Sequence, residues 1–374
     1  MRILVNAALL PDIYSFEYIS ALYKTIYYVA SVQSESNFFF VCRSHDADQL
    51  DKDDNIELIK TKNRRGSPLI WKYWYDVRIP ALLRKYKVDL FLSPGPVCSL
   101  NTKVPQLLVL SGTSLLDIPT LFSKPQLSFL RKRQVLSVEK ARNIITFTQS
   151  EKNKIITSFK QAGDKTVIVP FILPEDKIAA TDVLKEQTKA KYTGGKEFFL
   201  YSGPLNAVGN ILNLLKAFSL FKKRQQSSFK LAICGNNADK HNEYLKLLET
   251  YKYKADVILK NNLKEEEINT LFASAYSLVY PVLINDLLTP VIQAMQYEIP
   301  VITSLTPELK EITGNAGLYA DAENPQDIAD NMMRIYKDER LRNELIEKGK
   351  SVINRLKQQD AVSEFYKAMQ KAVL

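Results

Sequence analysis

The stretch "SLVYPVLINDLLTPVIQAMQYEIPVITS", Ser277–Ser304, reads as a strand, a loop, a helix and a second strand. "LVYPV" is an apolar run of strand length, and "IPVITS" is apolar and β-branched with its proline at the start. "PVIQAMQY" begins with Pro290, which suits the first helical turn because the N–H it lacks would be unpaired there anyway. A strand–loop–helix unit of this kind often holds a ligand against the helix N-terminus. Here the loop offers Asn285, Asp286 and Thr289, and the helix offers Gln293. Amides therefore stand where an enzyme often uses carboxylates.

The same rhythm runs through the rest of the chain. Toward the N-terminus of this unit, "FFLYSGPL", "FKLAICGN" and "ADVILKNN" read as strands. They alternate with the helical patterns "NILNLLKAFSLFKKR", "HNEYLKLLETYKY" and "LKEEEINTLFASA". After it come a short strand "AGLYAD", two helices in "NPQDIADNMMRIYKDERLRNELIEKGK", and a closing helix pair in "VINRLKQQDAVSEFYKAMQKAVL". The first half repeats the alternation. "RILVNAAL", "NFFFVCR", "VDLFLSP", "VPQLLVLSG", "NIITFTQS" and "KTVIVPF" are expected strands. Between them, "SPLIWKYWYDVRIPALLRKYK" is helical with Pro80 as an interruption, and Ser150 is the expected cap of "SEKNKIITSF". Alternating strands and helices in both halves imply two parallel sheets, each covered on both faces, with ligands at the carboxyl ends of the strands in an interdomain cleft. The expected domains are 1–175 and 196–352. Residues 176–195 form a polar linker with a short helix, and 353–374 a helical tail packing back on the first domain.

Composition narrows the class. The chain has 374 residues, 46% apolar and 25% charged, which suits a two-domain globular protein. No run of about 18 apolar residues marks a membrane span, and "MRILVNAALL" reads as a first buried strand rather than a leader, pointing to a cytoplasmic location. Cys42, Cys98 and Cys234 are odd in number and far apart, which argues for buried thiols and against a disulfide framework or zinc site. With only His45 and His241, a histidine metal site or a Ser-His-Asp triad is not expected, and no metal is called.

The net charge is +10. Two basic clusters stand out: "KTKNRRGSPLIWKYWYDVR" (Lys60–Arg78) and "KPQLSFLRKRQ" (Lys124–Gln134). One reading makes them solvated helix faces with Trp71 and Trp74 in the core. The other makes them a peripheral contact with an anionic membrane surface. No nucleic-acid reader motif accompanies the charge, so no nucleic-acid partner is expected. "GPLNAVGN" lacks the Gly-Lys-Ser/Thr of a P-loop, and no dinucleotide fingerprint follows the first strand.

Several elements together carry a resemblance. "FFLYSGPLNAVGNILNLLKAFSLF" matches a G-R-L-x-x-x-K-N-x-x-x-x-x-x-A-F pattern. The segment "LKEEEINTLFASAYSLVYPVLINDLLTPVIQAMQYEIPVITS" matches a helix, a strand, an E-G-F-G-L-P-x-x-E-A-M loop and a G-x-P-V strand. "TPELKEITGNAGLYADAENPQDIADNMMRIYKDERLRNELIEKGK" matches the closing segment. The chain in these respects resembles the family 4 (group 1) retaining glycosyltransferases. The resemblance implies the GT-B fold, two Rossmann-like doubly wound domains facing across a cleft. It also implies a nucleotide-sugar co-substrate, a glycan or lipid-linked acceptor, and transfer without a bound metal, as in polysaccharide or cell-envelope glycan synthesis.

The family's functional positions are substituted here. Its two glutamates fall at Asn285 and Gln293, and its loop glycines at Asp286 and Leu288. Its diphosphate-binding arginine and lysine fall at Pro204 and Gly209, and its histidine–aspartate pair at Ser111 and Gly112. The donor-binding candidates are therefore Gly203, Pro204, Gly209, Asn210, Asn285, Asp286, Leu287, Leu288, Thr289 and Gln293. Asp286 or Glu17 are the candidate replacement carboxylates, and Arg43, Lys103 or Arg131 the candidate replacement cations. A charge-assisted hydrogen bond is worth about 1.5–3 kcal/mol, so losing both clamp cations costs about 3–6 kcal/mol of donor binding. That is roughly two to four decades in affinity. Two readings follow: a glycosyltransferase with an unusual site, or a catalytically inactive relative serving as a partner or binding subunit.

Overall fold

The computed structural model describes residues 1–8, 16–43, 53–61, 67–110, 122–173, 181–235, 243–261, 263–283 and 288–374, with 16–21 and 243 by backbone alone. The chain divides into two compact units, Met1–Ile172 with Gln359–Leu374, and Leu173–Gln358.

The first unit runs β1 (Arg2–Asn6), α1 (Phe16–Val32), β2 (Asn37–Arg43), β3 (Ile56–Thr61), α2 (Pro68–Tyr73), a π-helical turn (Trp74–Arg78) and α3 (Ile79–Lys85). It continues through β4 (Leu90–Ser93), β5 (Gln106–Val109), α4 (Lys124–Lys140), β6 (Asn143–Thr146), α5 (Gln149–Ser158) and β7 (Thr166–Ile168). Its strands are all parallel in the order β3-β2-β1-β4-β5-β6-β7. Central strands such as β4 and β6 are buried along their whole length, as expected for a sheet covered on both faces.

The second unit runs α6 (Asp182–Thr193), β8 (Phe198–Ser202), α7 (Ile211–Gln225), β9 (Lys230–Gly235), α8 (Glu243–Thr250), β10 (Val257–Asn261), α9 (Glu265–Ser274) and β11 (Ser277–Tyr280). Then follow α10 (Thr289–Gln296), β12 (Val301–Ser304), α11 (Pro307–Thr313), β13 (Gly317–Ala320), α12 (Pro325–Lys337) and α13 (Glu339–Lys357). Its parallel order is β10-β9-β8-β11-β12-β13. The polar text before β8 contains α6, which Lys191 and Tyr192 tie to Glu267 of α9, each at 2.9 Å. The last helix, α14 (Ala361–Val373), returns to the first unit and packs on α1, β4, β5 and β6. There Tyr366 Oη lies 2.7 Å from Ser36 Oγ.

Several local expectations need correction. Ser150 is not the cap of α5. Thr148 is: its side chain accepts from Glu151 N, and Glu151 closes a capping box. The expected interruption at Pro80 takes the form of a π turn within a continuous helical path. The chain widens into the π turn just before Pro80, which accommodates a residue that lacks an N–H and crowds the preceding turn. β3 was not among the expected strands, because as an edge strand it is only half-buried and "IELIKT" shows no clean apolar run. "VINRLK" is the end of α13 rather than a helix of its own. Trp71 and Trp74 are buried, so they belong to the core. Cys42, Cys98 and Cys234 are buried and in no disulfide. Among the described residues, no helix is long and apolar enough to cross a membrane.

Candidate functional site

The second sheet changes direction between β8 and β11. From β8 the chain winds outward to β9 and β10, and from β11 to β12 and β13. The carboxyl ends of β8 and β11 thus flank a topological switch point, where doubly wound sheets place their ligands. Two loops meet there. One links β8 to α7 through a short 3₁₀ turn, Ala207–Gly209. The other links β11 to α10. Leu283 N donates to Val208 O at 2.9 Å, joining the loops directly.

The β8–α7 loop is packed too tightly to carry side chains at its glycines. A Cβ on Gly209 would lie 1.8 Å from Pro204 O and 2.4 Å from Tyr201 Oη. One on Gly203 would lie 2.8 Å from the Tyr280 ring. The buried Tyr201 hydroxyl donates to Pro204 O at 2.8 Å, and its ring lies 5.8 Å from that of Tyr280. These glycines serve close approach within the loop. Gly209, where the resemblance places a lysine, has no room for one in this conformation.

Asn210 follows in the left-handed region, φ 57°, which asparagine tolerates better than most residues. Its Nδ2 donates to Pro281 O at 2.8 Å and Ala322 O at 2.6 Å. It therefore stitches the start of α7 to the chain after β11 and after β13. In α10, Pro290 occupies the first turn as expected. Leu288 is buried and Thr289 half-buried. Gln293, one turn in, donates through Nε2 to Asn269 Oδ1 at 2.8 Å, so α9 fixes its orientation. That contact uses the amide N–H and leaves Oε1 to accept. Asn269 was not singled out from the sequence; its place in the apolar periodicity of α9 carried no signal. Of the candidates, the structure brings Gly203, Pro204, Gly209, Asn210, Leu288, Thr289 and Gln293 to the β8/β11 end of the second unit. Asn285, Asp286, Leu287, Ser111 and Gly112 lie outside the described residues, as does the side chain of Glu17.

The first sheet has its own switch point, between β1 and β4. A buried polar network fills it. Trp74 Nε1 donates to Asn6 Oδ1 at 3.1 Å, and Asn6 Nδ2 donates to Tyr75 Oη at 3.2 Å. Burial pushes the Tyr75 hydroxyl well above its ordinary pKa, so it stays protonated. Beside it, Arg133 of α4 donates to Asp76 Oδ2 at 2.8 Å and to Cys98 O at 2.9 Å. Burial raises the Cys98 thiol to about 11. Asn6, Tyr75 and Asp76 were not singled out from sequence, since lone polar residues within apolar text have no recognisable spacing. Among the described residues, no group of three His, Cys, Asp or Glu could hold a metal ion.

Two all-parallel α/β units of this kind make up the GT-B fold. Anabaena Alr3699/HepE, solved in complex with UDP and glucose, superposes with a TM-score of 0.75 at 13% identity, over 100% of this chain and 99% of that one. Residues 183–352 match the family described as glycosyl transferases group 1. The O-antigen chain mannosyltransferase B of Escherichia coli is 23% identical over 308 residues, 78% of this chain and 79% of that protein. The O-antigen chain mannosyltransferase RfbU of Salmonella typhimurium (strain LT2) is 24% identical over 279 residues, 73% of this chain and 71% of that protein. The segment 183–352 is thus similar to the group 1 glycosyl transferases, and the whole chain shares their fold.

Proposed function

We propose that this chain transfers a sugar from a nucleotide-sugar donor to a glycan or lipid-linked acceptor in cell-envelope polysaccharide synthesis. The second unit takes the donor and the first unit the acceptor. The observation that carries this reading is the retained switch-point scaffold: the β8–α7 and β11–α10 loops, stitched by Asn210, lie inside the family-matched segment. Gln293, held by Asn269, offers Oε1 to a ribose hydroxyl where the family resemblance has a carboxylate. The curated relatives named as O-antigen chain mannosyltransferases support the pathway class.

A second reading has its own observation. Gly209 cannot carry a side chain without displacing Pro204, so the loop is built around the loss of the clamp lysine rather than merely lacking it. That favours a catalytically inactive relative acting as a partner subunit.

Calorimetric titration with UDP, GDP and their sugar conjugates, run beside a donor-hydrolysis assay, separates the two. Micromolar binding of one nucleotide sugar, weakened by Gln293→Ala, with slow hydrolysis, supports the transferase. No binding at millimolar ligand overturns it in favour of the subunit.

A further inference from the structure

We propose that Asn269 is a second ligand-contacting residue of the donor site, and that the Asn269–Gln293 amide pair reads the ribose diol of the nucleotide through one donor and one acceptor. The inference rests on the nucleotide-sugar reading above and names how that site recognises its ligand.

The two residues stand in matching places. α9 begins at Glu265 and α10 at Thr289, and Asn269 and Gln293 each lie four residues further on, one turn into their helix. The helices run side by side, and deeper along them the Phe272 and Tyr297 rings stack at 6.2 Å. α9 follows β10 and α10 follows β11, so both open at the carboxyl ends of strands of one parallel sheet, where ligands bind. Gln293 Nε2 donates to Asn269 Oδ1 at 2.8 Å. That leaves Gln293 Oε1 and Asn269 Nδ2. Among the described residues neither atom has a hydrogen-bond partner, yet neither is a buried polar atom left unsatisfied, so both are open to solvent.

A joined pair of amides shows a ligand one acceptor and one donor. Turning both amides over keeps their mutual bond and exchanges the two roles. A carboxylate in either place would show two acceptors instead. Two neighbouring hydroxyls suit the amide pair in both arrangements: one donates to the oxygen, the other accepts from the N–H, and they can exchange. The ribose 2′- and 3′-hydroxyls of a nucleotide are such a pair. A nucleobase edge, whose donor and acceptor are fixed, suits only one arrangement. A neutral pair also places no negative charge near a diphosphate, in a site where Pro204 and Gly209 supply no cation.

The test is calorimetric titration of the full chain with UDP, GDP, ADP and CDP, then with the 2′-O-methyl and 3′-O-methyl forms of the tightest binder. Wild type is compared with Asn269→Asp and Gln293→Glu, which are nearly isosteric, and matching thermal midpoints establish that they fold. In each variant the new carboxylate still accepts from the neighbouring amide, but the pair now shows two acceptors. A methylated hydroxyl has no proton to give one of them. The steric cost of the methyl is common to all three proteins and drops out of the comparison. The preference for the parent nucleotide over an O-methyl form should therefore rise at least about tenfold in both variants. If Asn269 only oriented Gln293, Asn269→Asp would leave Nε2 bonded and Oε1 in place, and the preference would not move. The proposal is overturned, with the transferase reading intact, if either variant discriminates like wild type. The same holds if the variants change the choice among the four nucleotides but not the methyl discrimination. If no nucleotide binds at millimolar concentration, the donor-site reading and this proposal fall together.

Discussion

Gln293 Nε2 donates to Asn269 Oδ1 at 2.8 Å, fixing a side chain of α10 from the neighbouring α9. The pair presents the remaining Gln293 oxygen in one orientation. Gln293→Ala should weaken nucleotide-sugar binding by about two- to tenfold, the worth of one neutral hydrogen bond. Asn269→Ala should produce a smaller loss in the same direction, because it releases the orientation without removing the acceptor. Calorimetry on both variants checks the order.

Gly209 tests how the loop is built. Gly209→Ala places a methyl 1.8 Å from Pro204 O, a contact that forces the backbone to move. Destabilisation of about 1–3 kcal/mol or more is expected in urea unfolding. Gly209→Lys should be at least as destabilised and should not gain donor affinity. A stable Gly209→Lys that binds nucleotide sugar more tightly would show that the loop can open.

Asn210 makes a two-part prediction. Asn210→Ala loses the bonds to Pro281 O and Ala322 O and puts a Cβ-bearing residue at φ 57° without asparagine's tolerance. Asn210→Gly loses the same bonds without the conformational cost. Alanine should therefore be the more destabilising by about 1 kcal/mol, with both below wild type. Equal stabilities would remove the backbone argument.

The Arg133–Asp76 pair is almost wholly withdrawn from water. Asp76→Ala leaves a buried guanidinium without its carboxylate and should cost about 3–5 kcal/mol, measured by chemical denaturation. Asp76→Asn, which keeps the shape and an acceptor, should cost less. An Asp76→Ala protein as stable as wild type would mean water reaches Arg133.

Cys98 gives a pH prediction. Its thiol is raised from 9.0 to about 11 by burial. Above about pH 9 the unfolded chain releases a proton that the folded chain keeps, so its contribution is complete below that pH and falls as pH rises toward about 11. Thermal midpoints of wild type should drop through this window more than those of Cys98→Ser. Native Cys98 should also resist alkylation at pH 8, where unfolded protein reacts.

The alternation of apolar runs with helical periodicity already determined two parallel α/β domains, because strands buried on both faces must be apolar throughout and helices that cover a sheet must be apolar on one side. Pro290 in the first turn of α10 and the acids opening α9 were legible for the same local reason. The family resemblance also supplied candidate positions for the substituted residues, since motif spacing survives when residue chemistry changes. Other features were decided only by tertiary contact. Whether Gly209 merely lacks a lysine or excludes one depends on Pro204 and Tyr201, which the folded loop brings against it. Asn210 was read as a ligand contact, yet two carbonyls from the ends of other strands claim its amide. Whether Trp71 and Trp74 lie in the core or at a peripheral contact was open from the sequence; packing against α4 and Asn6 buries them, as the core reading expects, and leaves Leu69, Tyr73 and Val77 outside. Local propensity depends on neighbours in the chain, and it therefore reveals elements. The role of a polar or aromatic side chain depends on what lies across from it in space, and only the fold supplies that.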